Sequence, residues 1–263
     1  MSDKSFTILF IADIVGKPGL TIIEALLPSL IKQHRIDMTI ANGENGYNGR
    51  GINEQIVRKY FNAGVDVVTG GNHSWNLHDF RIYLDNATRV LRPLNYPSEA
   101  PGQGSLVFTH SSGINVGVIN LQGRTFMNPI DCPFKAGLEE VERLRHQTPI
   151  VFIDFHAEAS AEKLALGWYL DGQASAVVGT HTHVQTADER ILPRGTAYIT
   201  DVGMTGPFDS VIGMDVDTAI KRFVTQLPEK YQLASANIRL NGVIIEIDIK
   251  TGRALKINRV NLP

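Results

Sequence analysis

Residues 6–13 read Phe-Thr-Ile-Leu-Phe-Ile-Ala-Asp, an almost wholly apolar stretch closed by a carboxylate. A short run of β-branched and aromatic residues bounded in this way is the pattern of a strand buried on both faces, as in the parallel sheets of α/β proteins. The same pattern recurs four times. Met38–Ala41 precedes Glu44-Asn45, Val65–Thr69 precedes Asn72-His73, Ile150–Phe155 runs into His156, and Ala174–Val178 precedes His181 and His183. Side chains at the carboxyl ends of parallel strands gather at one crevice. Five distant stretches are therefore expected to share one site.

The intervening segments supply helices. Gly16-Lys17-Pro18-Gly19 opens Leu20–Ile31, in which Ile22, Ile23, Leu26, Leu27, Leu30 and Ile31 recur at helical spacing. Asn53 is placed to cap a helix over 54–63, which Gly64 ends. Further helices are expected over 161–170 and 216–223. Two hairpins are expected, one from 104–109 and 115–120 around Ser111-Ser112-Gly113, and one from 242–248 and 254–260 around Thr251-Gly252. Buried parallel runs followed by hairpins predict α/β architecture: two packed mixed sheets flanked by helices. The whole chain, 1–263, reads as a single domain, with a small cap over the site expected in the loop 124–135.

Composition narrows the function. At 43% hydrophobic and 20% charged residues the chain is globular rather than disordered, and a net charge of −2 gives no broadly basic surface for a stable nucleic-acid complex. Cys132 is the single cysteine, so no internal disulfide can form. No apolar run is long enough to span a bilayer, and a cytoplasmic location without a membrane partner is expected.

The donor set carries the chemistry. Asp13 and Glu44 offer carboxylates, either of which can bridge two cations, and Asn45 and Asn72 offer neutral carbonyl oxygens. His156, His181 and His183 add imidazoles, which favour iron, manganese or zinc over magnesium or calcium. Alternation along an extended segment would send His181 and His183 off the chain in the same direction. Each donor alone has an ordinary structural reading: Asp13 as a cap, Asn72 in a left-handed turn, His156 as a hydrogen-bonded core histidine. The ordered conjunction of all five stretches is what singles out a metal site. Asp154, Glu158 and Asp201 are candidates to orient the free nitrogen of His156.

In these blocks the sequence resembles the calcineurin-like metallophosphoesterase superfamily, with Asp13, Glu44, Gly71-Asn72-His73, His156 and Gly179-Thr180-His181-Thr182-His183 in the superfamily's order. It departs from the usual pattern in three places. Val15 stands where His or Asn is usual, Glu44 where Asp is usual, and one extra residue separates Gly179 from His181. With Asn42-Gly43-Glu44-Asn45 and Thr200-Asp201-Val202-Gly203-Met204-Thr205-Gly206-Pro207, the departures resemble the bacterial family of 2′,3′-cyclic-nucleotide 2′-phosphodiesterases.

That resemblance implies a four-layer α/β/β/α metallophosphoesterase sandwich and two bound metal ions, iron first, with manganese, magnesium or zinc as alternatives. It implies that Asp13, Asn45, Glu44 and His183 hold one ion, and that Glu44, Asn72, His156 and His181 hold the other. His73, absent from both sets, is the expected proton donor to the departing ribose oxygen. The implied substrate is a small phosphodiester, the implied assembly a homo-oligomer. Two other functions use the same residues: a different metal-dependent hydrolase, such as an amidase or phosphomonoesterase, and a non-catalytic regulator of RNA metabolism.

Overall fold

The computed structural model describes residues 5–263. In chain order its elements are β1 (Ser5–Ile11), α1 (Gly16–His34), β2 (Met38–Asn42), α2 (Glu54–Ala63), β3 (Val67–Thr69), α3 (His78–Asn86), β4 (Ser105–Thr109), β5 (Asn115–Gln122), α4 (Pro133–Arg145), β6 (Val151–His156), α5 (Ser160–Tyr169), β7 (Ala176–Thr180), β8 (Arg190–Ile191), β9 (Ala197–Ile199), β10 (Gly206–Pro207), α6 (Val216–Thr225), β11 (Ile238–Asp248) and β12 (Ala254–Leu262).

The strands form two mixed sheets. One runs β10-β11-β1-β2-β3 with β12 beside β11, and the other runs β4-β5-β6-β7-β9-β8. The first quoted stretch lies at the heart of the first sheet, where β1 pairs in parallel with β2 and antiparallel with β11. Alternation along β1 explains its unbroken apolar character. Phe6, Ile8 and Phe10 face the second sheet and pack with Val118, Phe152 and Val178. Leu9 and Ile11 face the other way, onto Ile23, Leu27 and Leu30 of α1 and Tyr60 of α2. On the far side of the second sheet, Ile153, Phe155 and Val177 pack against Val141 and Leu144 of α4 and Leu166 of α5. The result is the four-layer α/β/β/α sandwich that the resemblance implied.

The local signals act as expected. Asn53 Oδ1 accepts the Ile56 amide at 3.0 Å at the start of α2, and Gly64 closes that helix with a left-handed φ of 111°. Both hairpins form, the second extended to Leu262 with a bulge at Glu246 and Ile247. Two helices escape the sequence reading. α3 buries only Phe80 and Leu84, and neither of its ends carries a capping signal. α4 begins at Pro133, inside the segment read as a loop, and buries Gly137, Val141 and Leu144. Residues 124–132 therefore form the connection into α4, and the Arg124 and Thr125 amides are held by the Glu162 carboxylate at 3.1 Å each.

Candidate metal centre

All seven donors expected from the sequence, Asp13, Glu44, Asn45, Asn72, His156, His181 and His183, meet at the carboxyl ends of β1, β2, β3, β6 and β7. His156 is central. Its Nε2 lies 2.9 Å from Asn72 Oδ1, 3.0 Å from His181 Nδ1 and 3.1 Å from Glu44 Oε1. The donor atoms of Glu44, His156 and His181 all fall within 4.8 Å of one another. One imidazole nitrogen carries either a proton or a lone pair, so it cannot satisfy two oxygens and a second imidazole nitrogen together. A divalent cation among the four would satisfy all of them, and the mixed oxygen and imidazole set suits a transition metal.

A second group adjoins the first. The Asn45 amide nitrogen lies 3.4 Å from Asp13 Oδ1, 3.3 Å from Glu44 Oε1 and 3.2 Å from His183 Nε2. His183 Nε2 is 4.0 Å from Asp13 Oδ1. Glu44 thus stands between the two groups. The remaining carboxylate oxygens are fixed by the backbone: Asp13 Oδ2 accepts the His181 amide at 2.9 Å, and Glu44 Oε2 accepts the His73 amide at 2.8 Å. Gly71 permits this closeness, because a Cβ there would overlap the Glu44 carboxylate and the His156 ring.

The electrostatics follow from burial and pairing. Burial pushes the Glu44 carboxyl up, yet the adjoining His156 ring overrides it and brings it to about 2. Burial pushes His156 down, and Glu44 with Asp13 and Asp154 overrides this, raising it to about 9. Burial and the neighbouring charge on His156 drive His181 to about 3. Burial raises the Asp13 carboxyl and lowers His73. The site therefore concentrates negative charge at Glu44 and keeps the second imidazole neutral, with a lone pair to offer.

Two expectations about orientation are corrected. His181 and His183 do not leave an extended segment in the same direction. Both have left-handed backbone, with φ of 101° and 65°, and their rings diverge. His181 turns to His156 and places Nε2 3.2 Å from the Glu158 carboxylate. His183 turns to Asp13 and Asn45, and its Nδ1 donates to the Ile212 carbonyl at 2.9 Å. Asp201 holds the turn: its Oδ2 accepts the Thr182 amide at 3.0 Å and hydroxyl at 2.7 Å. That carboxylate is also paired with the buried Lys163 ammonium at 2.6 Å. The second correction concerns His156, whose Nδ1 meets Thr180 Oγ1 at 3.0 Å. Thr180 in turn donates to Asp154 Oδ1 at 2.7 Å. Asp154 acts one bond removed, Glu158 serves His181, and Asp201 serves the backbone.

Asn42, Thr69, Lys163 and Thr180 went unread as site residues in the sequence. Asn42 Nδ2 donates to the Gly70 carbonyl and to Asp154 Oδ2, each at 3.0 Å, tying the β2 turn to the opposite sheet. Thr69 donates to the same carboxylate oxygen at 2.5 Å. A buried lysine on an amphipathic helix was the one local signal available. Its partner lies 38 residues away.

The chain is 50% identical over 253 residues, 96% of each chain, to the 2′,3′-cyclic-nucleotide 2′-phosphodiesterase of Bacillus subtilis strain 168. A solved structure described as a novel phosphatase from Mycoplasma pneumoniae superposes with a TM-score of 0.92 at 35% identity, covering 98% of this chain and 93% of that one. A hypothetical protein from Thermus thermophilus superposes with a TM-score of 0.89 at 40% identity, over 98% of this chain and all of that one. A model of the YmdB-like protein family matches residues 9–260. Shared sequence over nearly the full length, together with a shared fold, places this chain in the YmdB-like protein family.

Proposed function

We propose that the chain is a metal-dependent phosphodiesterase that opens 2′,3′-cyclic nucleotides, and other small phosphodiesters, at a site holding two metal ions, iron first. The observation that carries this reading is the convergence of Glu44, Asn72, His156 and His181 on a single point. The kinship with a Bacillus subtilis protein named for that reaction supports it. Asp13, Asn45, Glu44 and His183 would hold one ion, and Glu44, Asn72, His156 and His181 the other, with Glu44 shared. Metal ions held there would supply Lewis-acid polarisation of the phosphoryl oxygens and of an attacking water.

The protein's own groups do the rest. Water attacks phosphorus in line and gives up one proton to solvent, a new P–O bond forms, and the bond to the ribose 2′ oxygen breaks. His73 gives its proton to that departing oxygen, leaving a nucleoside 3′-phosphate. The ring is half-buried at the cavity wall, with Nδ1 3.1 Å from the Asn76 amide nitrogen and Nε2 3.3 Å from that of Asn72. Burial disfavours its protonated form, and a phosphodiester anion opposite the ring favours it. Protonation then accompanies substrate binding.

The test is a substrate panel on protein reconstituted with iron or manganese: bis-p-nitrophenyl phosphate, a phosphomonoester, 2′,3′-cyclic AMP, 3′,5′-cyclic AMP and an amide. Turnover of the diesters with 2′,3′-cyclic AMP preferred is expected. Turnover confined to the monoester or the amide would overturn the reading.

A further inference from the structure

The cavity over the metal centre, about 340 Å³, has two unlike walls. One carries Glu44, Asn45, His73, His181 and His183. The other is built from Ile212, Met214, Phe223 and Tyr231. Its volume is within the range of small-ligand sites. Met214 is buried and Tyr231 half-buried, but packing does not explain Phe223 and Ile212, which are 70% and 54% exposed on a wall where α6 buries only Ala219. A large aromatic side chain held open to solvent beside a polar site is a surface awaiting contact.

This wall is fixed to the donor set. The Ile212 carbonyl accepts from His183 Nδ1, and Ile212 itself has a left-handed φ of 48°. The Tyr231 ring lies so close over Gly49 that a Cβ there would overlap it. Two guanidinium groups complete the cavity. Arg50 and Arg222 both line it, and among the described residues neither is ion-paired with a carboxylate. The Arg50 guanidinium sits 5.9 Å from the Tyr231 ring centroid. The two cations, beside the exposed Phe223 and the half-buried Tyr231, complement an anion joined to a flat apolar group, which describes a nucleotide. Ile212, Met214 and Phe223 have no side-chain hydrogen-bonding group with which to read a base edge.

We infer that Phe223 and Tyr231 form a nucleobase-stacking subsite that sets the affinity for nucleotides while accepting any of the four bases. The inference rests on the phosphodiesterase reading above. Its partner chemistry is a ribonucleotide carrying a phosphate at the 2′ or 3′ position. Stacking is sequence-tolerant because every base has a π face.

Steady-state kinetics on metal-loaded protein test this with two diesters that differ only in the base: 2′,3′-cyclic AMP and the 2,3-cyclic phosphate of methyl ribofuranoside. Phe223→Ala and Tyr231→Ala should each raise KM for 2′,3′-cyclic AMP about five- to a hundredfold at unchanged kcat, the loss expected for one base–aromatic stack. The base-free diester should be unaffected. Val224→Ala, which removes an exposed apolar side chain outside the cavity, should retain the wild-type KM. The four 2′,3′-cyclic nucleotides should differ in kcat/KM by less than about fivefold, since stacking alone discriminates weakly. An unchanged KM in both alanine variants, or an equal rise on the base-free diester, would overturn the subsite.

Calorimetric titration with 3′-AMP and ribose 3-phosphate separates this idea from the one beneath it. If the wild type turns over neither diester, the phosphodiesterase reading fails, and binding alone then judges the subsite. Loss of 3′-AMP affinity in Phe223→Ala with ribose 3-phosphate affinity retained supports it. Equal affinities in variant and wild type refute it.

Discussion

His156 accounts for much of the site at the scale of single residues. It ends a strand, its Nε2 meets three donors, and its Nδ1 is fixed through Thr180 to Asp154. Replacing its neighbour in His181→Ala should remove metal and activity together, read by elemental analysis beside the diesterase assay. His73→Ala should behave differently. It should keep its metal content and lose about 100- to 10,000-fold in kcat on 2′,3′-cyclic AMP, the usual range for a general acid. On bis-p-nitrophenyl phosphate, whose leaving group needs little protonation, the loss should be far smaller. Equal losses on both substrates would assign His73 another role.

Asp154 yields a pH prediction at the same scale. Burial pushes its carboxyl from 3.8 up to about 6, so between those values the folded protein keeps a proton that the unfolded chain has released. Its contribution to stability is full below about pH 4 and is lost as pH rises through about 6, roughly 3 kcal/mol in total. In metal-free protein, Asp154→Asn should flatten the fall in unfolding free energy between pH 4 and pH 7, measured in urea. An unchanged slope would place the pH dependence elsewhere. Each candidate donor was legible in the sequence, because its residue type and its place after an apolar run are local facts. Its partner was not, because the Thr180 contact arises from the register that sets His156 beside Thr180 across β6 and β7.

Among the elements, the turn after β7 shows how secondary structure positions chemistry. Reading it as extended failed because a tertiary partner, Asp201, captures the Thr182 amide and hydroxyl and stabilises left-handed backbone on either side. Lys163 on α5 neutralises that carboxylate, and both side chains are 1% exposed. Lys163→Met should therefore cost about 3–5 kcal/mol, because it strands a buried charge rather than merely removing a contact. Chemical denaturation measures it, and a loss below about 1 kcal/mol would show that Asp201 is sufficiently served by its other donors. Helices with long apolar periodicity, α1 above all, were legible from spacing. α3 was not, having neither an N-cap side-chain bond nor a left-handed C-cap to mark its ends, nor was α4, which opens at Pro133 inside a segment read as a loop.

At the scale of the whole molecule the metal centre joins the two sheets. Asp13 and Glu44 follow strands of the first sheet, and His156 and His181 end or follow strands of the second. A ligand that binds only the folded arrangement stabilises it by mass action, about 2.7 kcal/mol at a hundred times its dissociation constant. Metal-free protein should accordingly melt at a lower temperature, and adding manganese should raise the midpoint in a concentration-dependent way. His181→Ala should lose that response. A midpoint indifferent to metal in the wild type would mean that the donors hold no ion in the folded state.

The sequence by itself determined the buried strands, the helix caps, both hairpins and the residue that closes each strand, because these depend on alternation, spacing and turn chemistry within a few residues. Tertiary structure alone decided how Asp154 acts through Thr180 and why the rings of His181 and His183 part company. It also raised the wall of Phe223 and Tyr231 opposite them. Those features arise where strands from two sheets and a distant helix come within bonding reach of one another, and no local pattern encodes a distance between segments so far apart along the chain.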